Sequence, residues 1–293
     1  MKRLGIVSLE SSHVDRFCET LNLPDHEWHL PGARVVAVCP QDNAPERVSE
    51  VRDRFEIEIV VDSPEALVPL VDAALVLGRD GSLHCAQALP FLQAGKPCFV
   101  DKPFAHDVED ADLMIEAARA SGTRIMSASA VRFAVELKEH EKQIETLGKL
   151  QNLSLLGPGE LFFYGIHLVD LLMRLMGPGV EVVTDLREEG FDLISVSYGD
   201  GRSAVLQLLR GPSVGFAARL VGPHDTLGLQ ITDPRYYPRT VQAFLEMLET
   251  GEEPVSEAEM LEAVRLLVAA DQSAKQGGRP VRLAEVFARK RAF

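Results

Sequence analysis

The chain is short of positive charge: 30 Lys and Arg stand against 44 Asp and Glu, a net of −14 over 293 residues. A deficit of that size excludes a surface built to neutralise a nucleic-acid backbone or to dock on anionic lipid. It leaves room for a small-molecule site, where a few local cations outweigh the sum. Cysteine is sparse too. Cys18, Cys39, Cys85 and Cys98 contain no C-x-x-C pair, which removes zinc-ribbon and thioredoxin-like readings. Scattered thiols of this kind suit a reducing compartment. No apolar run reaches the ~18 residues that a membrane span needs. The opening M-K-R-L-G-I-V-S-L-E has a basic start, but its apolar run stops at Glu10, too short for a signal peptide. The expectation is a cytoplasmic protein. Internal repeats, low-complexity tracts and long linkers are also missing.

What is present is ordinary globular composition, 46% hydrophobic and 25% charged, with length for one large domain or two ordinary ones. Strand and helix patterns alternate through the first half. Strands are expected at 4–7, 33–38, 57–61, 71–77, 97–100 and 123–127. Helices are expected from Ser11 or Ser12 to Asn22, near 44–55, over 82–94 with Gly95 as the stop, and over 107–121 with Gly122 as the stop. Continuous apolar strands separated by helices imply a parallel, doubly wound sheet. The second half changes character. Helices are expected over 130–148, 164–176, 236–250, 255–275 and 283–291. Strands at 180–186, 191–198, 203–210 and 215–221 have no long helix between them, and Asp200-Gly201 is a hairpin signal. The expected organisation is α/β: a Rossmann-like parallel domain over 1–127, then an α+β domain over 128–293 with a mainly antiparallel sheet.

Residues 95–104, G-K-P-C-F-V-D-K-P-F, put Asp101 and Lys102 straight after an apolar strand, at the carboxyl end where open α/β sheets bind ligands. Read alone, Lys102 is a strand-end lysine on a turn, and Asp101 a surface carboxylate paired with an amide. The stretch resembles the A-G-K-x-x-x-x-E-K-P-x-A signature of the Gfo/Idh/MocA oxidoreductases, with Asp101 in the glutamate position. Tyr164-Gly165-Ile166-His167-Leu168-Val169-Asp170 is similar to that family's G-x-H-x-x-D helix, and 263–283 to its closing helix and turn. The resemblance implies a Rossmann domain followed by a substrate domain, and NAD or NADP as cofactor. It also implies a lysine at 102 that reaches the reacting oxygen, and a cis peptide before Pro103. A compact ammonium suits the stabilisation of charge on oxygen. His167 and Asp170 share one helical face with Tyr164 a turn earlier. A histidine there accepts the hydroxyl proton as hydride leaves the same carbon, Asp170 orients it or binds substrate, and Tyr164 lies toward substrate. The plain alternative for His167 is a packing histidine with a satisfied hydrogen bond. Nothing in the spacing of His167, Asp170 and His84 singles out a metal.

The chain lacks the dinucleotide fingerprint itself. Where G-x-G-x-x-G should follow the first strand, it has Ser8-Leu9-Glu10-Ser11-Ser12-His13. With Ser8 at the first glycine position, Glu10 takes the second, where its carboxylate meets the phosphates, and His13 the third. Ser11 and Ser12 still suit the cap of a helix whose N–H groups bind an anion. For the ribose hydroxyls, Asp42 is the candidate after the second strand, although Pro40 intervenes. The segment Asn22–Gly32 holds the single tryptophan, Trp28, and reads as a surface loop, a lid or a dimer contact. At 78–84, His84 matches a family histidine near the nicotinamide ribose, and Arg79 supplies either a cation to phosphate or carboxylate or a helix-entry ion pair.

The expected function is hydride transfer between NAD or NADP and a carbinol carbon of a small sugar, polyol or cyclic alcohol. Lys102, His167 and Asp170 are the expected catalytic residues. Ser8, Ser11, Ser12, His13, Asp42, Arg79, His84, Asp101 and Pro103 line the cofactor, and no metal is expected. A homodimer or homotetramer is implied by the family. The competing expectation, favoured by Glu10, is a cofactor-free ligand-binding or regulatory member of the family. A third keeps the site for cofactor-independent chemistry such as elimination.

Overall fold

The computed structural model describes residues 1–211 and 214–286. Six strands, β1 (Lys2–Val7), β2 (Ala33–Cys39), β3 (Ile59–Val60), β4 (Ala73–Val76), β5 (Cys98–Val100) and β6 (Ile125–Ser127), form one sheet in the order β3-β2-β1-β4-β5-β6. Every pair in it is parallel. β4 and β5 are buried at every position, as a sheet covered on both faces requires. Helices α1 (Ser12–Asn22), α2 (Pro45–Phe55), α3 (Pro64–Leu67), α4 (His84–Gln93) and α5 (Val108–Ser121) make the crossovers. The third strand is shorter than the apolar run 57–61. Glu56 turns left-handed (φ 52°) to close α2, and Ile57 sinks into the core, leaving only two residues to pair with β2.

Beyond β6 come α6 (Val135–Glu139), α7 (Glu141–Thr146), β7 (Asn152–Pro158), α8 (Ile166–Met176), β8 (Val180–Arg187), β9 (Phe191–Tyr198), β10 (Ser203–Leu209), β11 (Phe216–Val221) and β12 (Thr226–Ile231). Helices α9 (Tyr236–Thr250) and α10 (Glu257–Lys275) follow, then β13 (Val281–Arg282). The second sheet runs β12-β11-β7-β10-β9-β8-β13 and is antiparallel except for the β10–β7 pair. Its strands alternate: Leu153 and Leu155, Ile194 and Val196, Ala204, Leu206 and Leu208 are buried, with α8 and α10 against the sheet.

Three expectations need correction. The helix expected over 130–148 is three pieces, a 3₁₀ turn at Ala130–Phe133, then α6 and α7, because Ala134 and His140 leave helical geometry. Strands β7 and β12 occupy stretches where none was expected. The closing helix expected over 283–291 begins as a 3₁₀ turn, Leu283–Glu285, and its remainder from 287 lies outside the described residues.

The chain gathers into two compact units. The first holds Met1–Ala105, Asp110–Ala128 and Tyr237–Ser256; the second holds His106–Glu109, Ser129–Tyr236 and the chain from Glu257 on. Helix α9 therefore packs with the parallel sheet: Phe244 meets Phe99 of β5 edge-on, 5.9 Å between ring centroids, and Phe17 of α1 meets the same ring at 5.5 Å. Among the described residues no helix is long and apolar enough to cross a membrane.

Candidate active site

In the first unit, β1, β4 and β5 end level with one another, Val7 opposite Val76 and Val76 opposite Val100. Strand order reverses beside β1, the place where open α/β sheets take ligands. Asp101 and Lys102 follow β5 there. Asp101 is almost fully buried, and its two oxygens are divided. One, Oδ1, accepts the Lys102 backbone N–H at 2.8 Å; the other, Oδ2, stands 2.7 Å from His13 Nδ1. Burial alone would raise the Asp101 pKa, but His13 and Lys102 outweigh it and hold the carboxyl below its ordinary value. Lys102 is 8% exposed. Burial pulls its ammonium below the usual lysine range; Asp101 opposes that shift and Arg79 adds to it. The Lys102–Pro103 bond is cis. His84, fully buried on α4, faces Pro103 O with Nδ1 and Gly78 O with Nε2, both at 2.9 Å, so it ties the two strand-end loops together.

The turn after β1 departs most from a glycine fingerprint. Ser8 takes the left-handed conformation (φ 67°), and its Oγ accepts from Gln87 Nε2 at 3.0 Å. The backbone N–H of Leu9 donates to Asn43 Oδ1 (2.6 Å), and Arg47 Nε donates to Leu9 O (2.9 Å), which pins the turn. Glu10 Oε1 accepts the backbone N–H of Arg79 at 2.8 Å, and Oε2 lies 3.4 Å from Asn43 Nδ2. Ser11 caps α1, its Oγ accepting the His13 N–H at 3.2 Å, while Ser12 is exposed as the first helical residue. His13 is not an empty third-glycine position: besides Asp101 it stacks on Phe17 and meets Tyr237 edge-on. Asp42 is exposed in the turn after β2, and the neighbouring Asn43 makes the tie to Leu9. Sequence reading did not find Gln87, Asn43 or Tyr237; a signal existed for Gln87 alone, which follows His84 by three residues on one helical face.

These residues fit a dinucleotide, with one intruder. A Cβ added at Gly78 would stand 3.4 Å from Gln87 Oε1 and 3.5 Å from both Glu10 Oε1 and Ser8 Oγ, so three polar side chains converge on that glycine. Gln87 Oε1 is buried without a hydrogen-bond partner, an acceptor suited to a ligand hydroxyl. The Arg79 N–H already holds an anion, the Glu10 carboxylate, which shows what kind of ligand that donor takes.

In the second unit, a wide turn over Leu161–Gly165 leads into α8, which carries His167 and Asp170, both buried. Ser129 Oγ lies 2.6 Å from His167 Nδ1 and also accepts the Val131 N–H at 3.2 Å. The Ser129 N–H donates to Asp170 Oδ2 at 2.6 Å, and Arg132 Nη1 donates to Asp170 Oδ1 at 2.9 Å. Glu259 of α10 accepts from Arg132 Nη2. Burial raises the Asp170 pKa against the pull of Arg132 and Ser129, yet both oxygens face donors and leave no acceptor for a carboxyl proton. The pair is therefore ionic. At Arg132 burial is likewise outweighed, by Asp170 and Glu259, which hold the guanidinium above its ordinary value. The His167 ring packs between Tyr164 (6.0 Å) and Phe216 (5.1 Å). Ser129, Arg132 and Glu259 escaped the sequence reading because nothing local marks them as partners of α8.

The described residues contain no cluster of His, Cys, Asp and Glu arranged for a metal ion. All four cysteines are buried and none is in a disulfide, and burial pushes the Cys18 and Cys98 thiols up, away from nucleophilic character.

Residues 14–129 match a family model described as an oxidoreductase family with an NAD-binding Rossmann fold. An inositol 2-dehydrogenase of Cereibacter sphaeroides is 37% identical over 105 residues, 35% of this chain and 30% of the relative's own length. A scyllo-inositol 2-dehydrogenase (NADP(+)) of Bacillus subtilis is 32% identical over 78 residues, 27% of this chain and 24% of its own. The matches thus span less than a third of these relatives' lengths. The crystal structure of a scyllo-inositol dehydrogenase of Lactobacillus casei with NAD(H) and scyllo-inositol superposes with a TM-score of 0.85. That superposition covers 97% of this chain and 99% of that one at 14% identity, which is a likeness of fold.

Proposed function

We propose that this chain, whose residues 14–129 match the Gfo/Idh/MocA oxidoreductase family, moves a hydride between NAD or NADP and the carbinol carbon of a small sugar, polyol or cyclic alcohol. The observation that carries this reading is Lys102: a buried lysine at the carboxyl edge of the parallel sheet, its ammonium held below the ordinary range and its backbone fixed by Asp101. The dinucleotide, when bound, supplies the hydride acceptor or donor. Ser8, the capped start of α1, the Arg79 N–H and Gln87 are the groups that would hold it, with His84 and Pro103 fixing the loop beside it. Lys102 polarises the substrate oxygen. A desolvated lysine acts as acid or base nearer neutral pH than an exposed one. His167 is the second candidate for the proton: when its Nδ1–H is donated to Ser129, Nε2 is the basic nitrogen. Asp170 serves as a positioning residue, since both its oxygens are engaged by Ser129 and Arg132. A cytoplasmic location and a homodimeric or homotetrameric assembly belong to the same reading, and sedimentation equilibrium checks the assembly.

The competing reading, a cofactor-free ligand-binding member of the family, is favoured by one observation: Glu10 satisfies the Arg79 N–H from within the chain. Thermal shift with NAD, NADH, NADP and NADPH separates the two. A dinucleotide at 100 times its dissociation constant adds about 2.7 kcal/mol of stability. A shift with at least one of the four is expected; no shift with any of them overturns the dehydrogenase reading. Lys102→Ala and His167→Ala are expected to abolish turnover of a polyol substrate while keeping that shift.

A further inference from the structure

We propose that Glu10 is a built-in, displaceable anion that occupies the place of the cofactor's diphosphate and sets the affinity of the dinucleotide site. The inference rests on the cofactor reading above and adds to it the residue that limits binding. At a strand order reversal, the turn after β1 and the loop after β4 are where a Rossmann fold meets a diphosphate. Here the carboxylate of Glu10 bridges those two loops. It accepts the Arg79 backbone N–H at 2.8 Å after β4 and lies beside Asn43 after β2. Its Oε1 also lies within 3.5 Å of where a Gly78 side chain would begin. A carboxylate and a phosphate oxygen present the same charge and the same acceptor geometry to a backbone donor. The chain therefore satisfies its own anion donor when no ligand is present. A second N–H at the start of α1, that of His13, is taken in the same way by Ser11 Oγ.

Displacement has to be local, because the turn itself is fixed. Leu9 is tied at both its N–H and its carbonyl, by Asn43 and Arg47. The Glu10 side chain, by contrast, is exposed and free to swing toward water by rotating about its own bonds. Binding a diphosphate then breaks one charge-assisted hydrogen bond and leaves a carboxylate near a second anion. Both effects weaken affinity; only the second is screened by salt.

The test is calorimetric titration of NADH and NADPH into the full-length protein and into Glu10→Gln and Glu10→Gly. Glutamine keeps the length and the acceptor but loses the charge, and glycine removes both. Because Glu10 is exposed, both variants are expected to keep the wild-type melting temperature without ligand. The dissociation constant is expected to fall at least about tenfold in Glu10→Gln and further in Glu10→Gly. The gap between wild type and Glu10→Gln should narrow as ionic strength rises. Equal dissociation constants for all three proteins, or weaker binding by Glu10→Gln, overturn the role of Glu10 while the cofactor reading stands. Absence of binding by the wild type and by both variants overturns the two together.

Discussion

Lys102 keeps an ammonium where only 8% of the residue meets solvent. Its pKa is lowered on folding, first by burial and further by Arg79, against Asp101. Between the folded value and the ordinary one of about 10.4, the unfolded chain binds more protons. Stability therefore rises with pH across that window, and below it the native state carries the full penalty of the buried charge. Replacing Lys102 by Met is expected to raise the melting temperature at pH 7 by about 2–4 °C, the response of a protein this size to roughly 1 kcal/mol. The gain should shrink toward zero above about pH 10. A melting temperature unchanged or lowered at pH 7 would show that the ammonium is not under strain there. A site that weakens the fold in this way is what a reactive group requires. Lys102 was legible in the sequence because strand, charge and proline stand consecutively. His13 was not: as a fingerprint position it looked like a lost glycine, and its partner Asp101 is remote in the chain but adjacent across the sheet. Asn43 was not legible either: it stands one residue after Asp42, and only the fold shows it turning toward the first loop.

At the scale of elements, the 3₁₀ turn at Ala130–Phe133 and helix α8 are joined by a buried ion pair. Arg132 and Asp170 are each less than a tenth exposed, and Glu259 brings α10 to the same guanidinium. Removing one partner strands a charge, so Arg132→Met or Asp170→Leu alone is expected to cost about 3–5 kcal/mol in urea unfolding. The double substitution should cost less than the sum of the two. Additive losses would mean that the two side chains are not coupled. This junction also explains why one helix over 130–148 was a poor expectation: periodicity favoured it, but Ser129 and Arg132 are held by α8, and Glu136 Oε1 accepts the N–H groups of Thr232 and Asp233. The parallel strands were readable because burial on both faces leaves unbroken apolar runs. β7 and β12 were not, because Asn152, Ser154, Gly157 and Pro158 dilute the first, and Gly228 interrupts the alternation of the second.

For the whole molecule, the informative fact is that the first compact unit is discontinuous. A boundary after residue 127 looks natural in the sequence, where strand–helix alternation stops. The fragment 1–127 would nonetheless lack α9, whose Phe244 covers Phe99. Uncovering one large aromatic costs about 3–5 kcal/mol by the measure of core truncations. The isolated fragment is therefore expected to bind a hydrophobic dye and to lose a cooperative unfolding transition. Joining residues 237–256 to its carboxyl end by a flexible linker is expected to restore both. A cooperative, dye-silent 1–127 fragment would contradict this.

The same interruption has a consequence in time. On the ribosome, residue 128 emerges long before residue 237, and at about 5–20 residues per second the delay is on the order of 5–20 s. Through that interval the nascent parallel sheet displays the ring of Phe99 to the cell, so the half of the chain that is synthesised first cannot finish folding as it emerges.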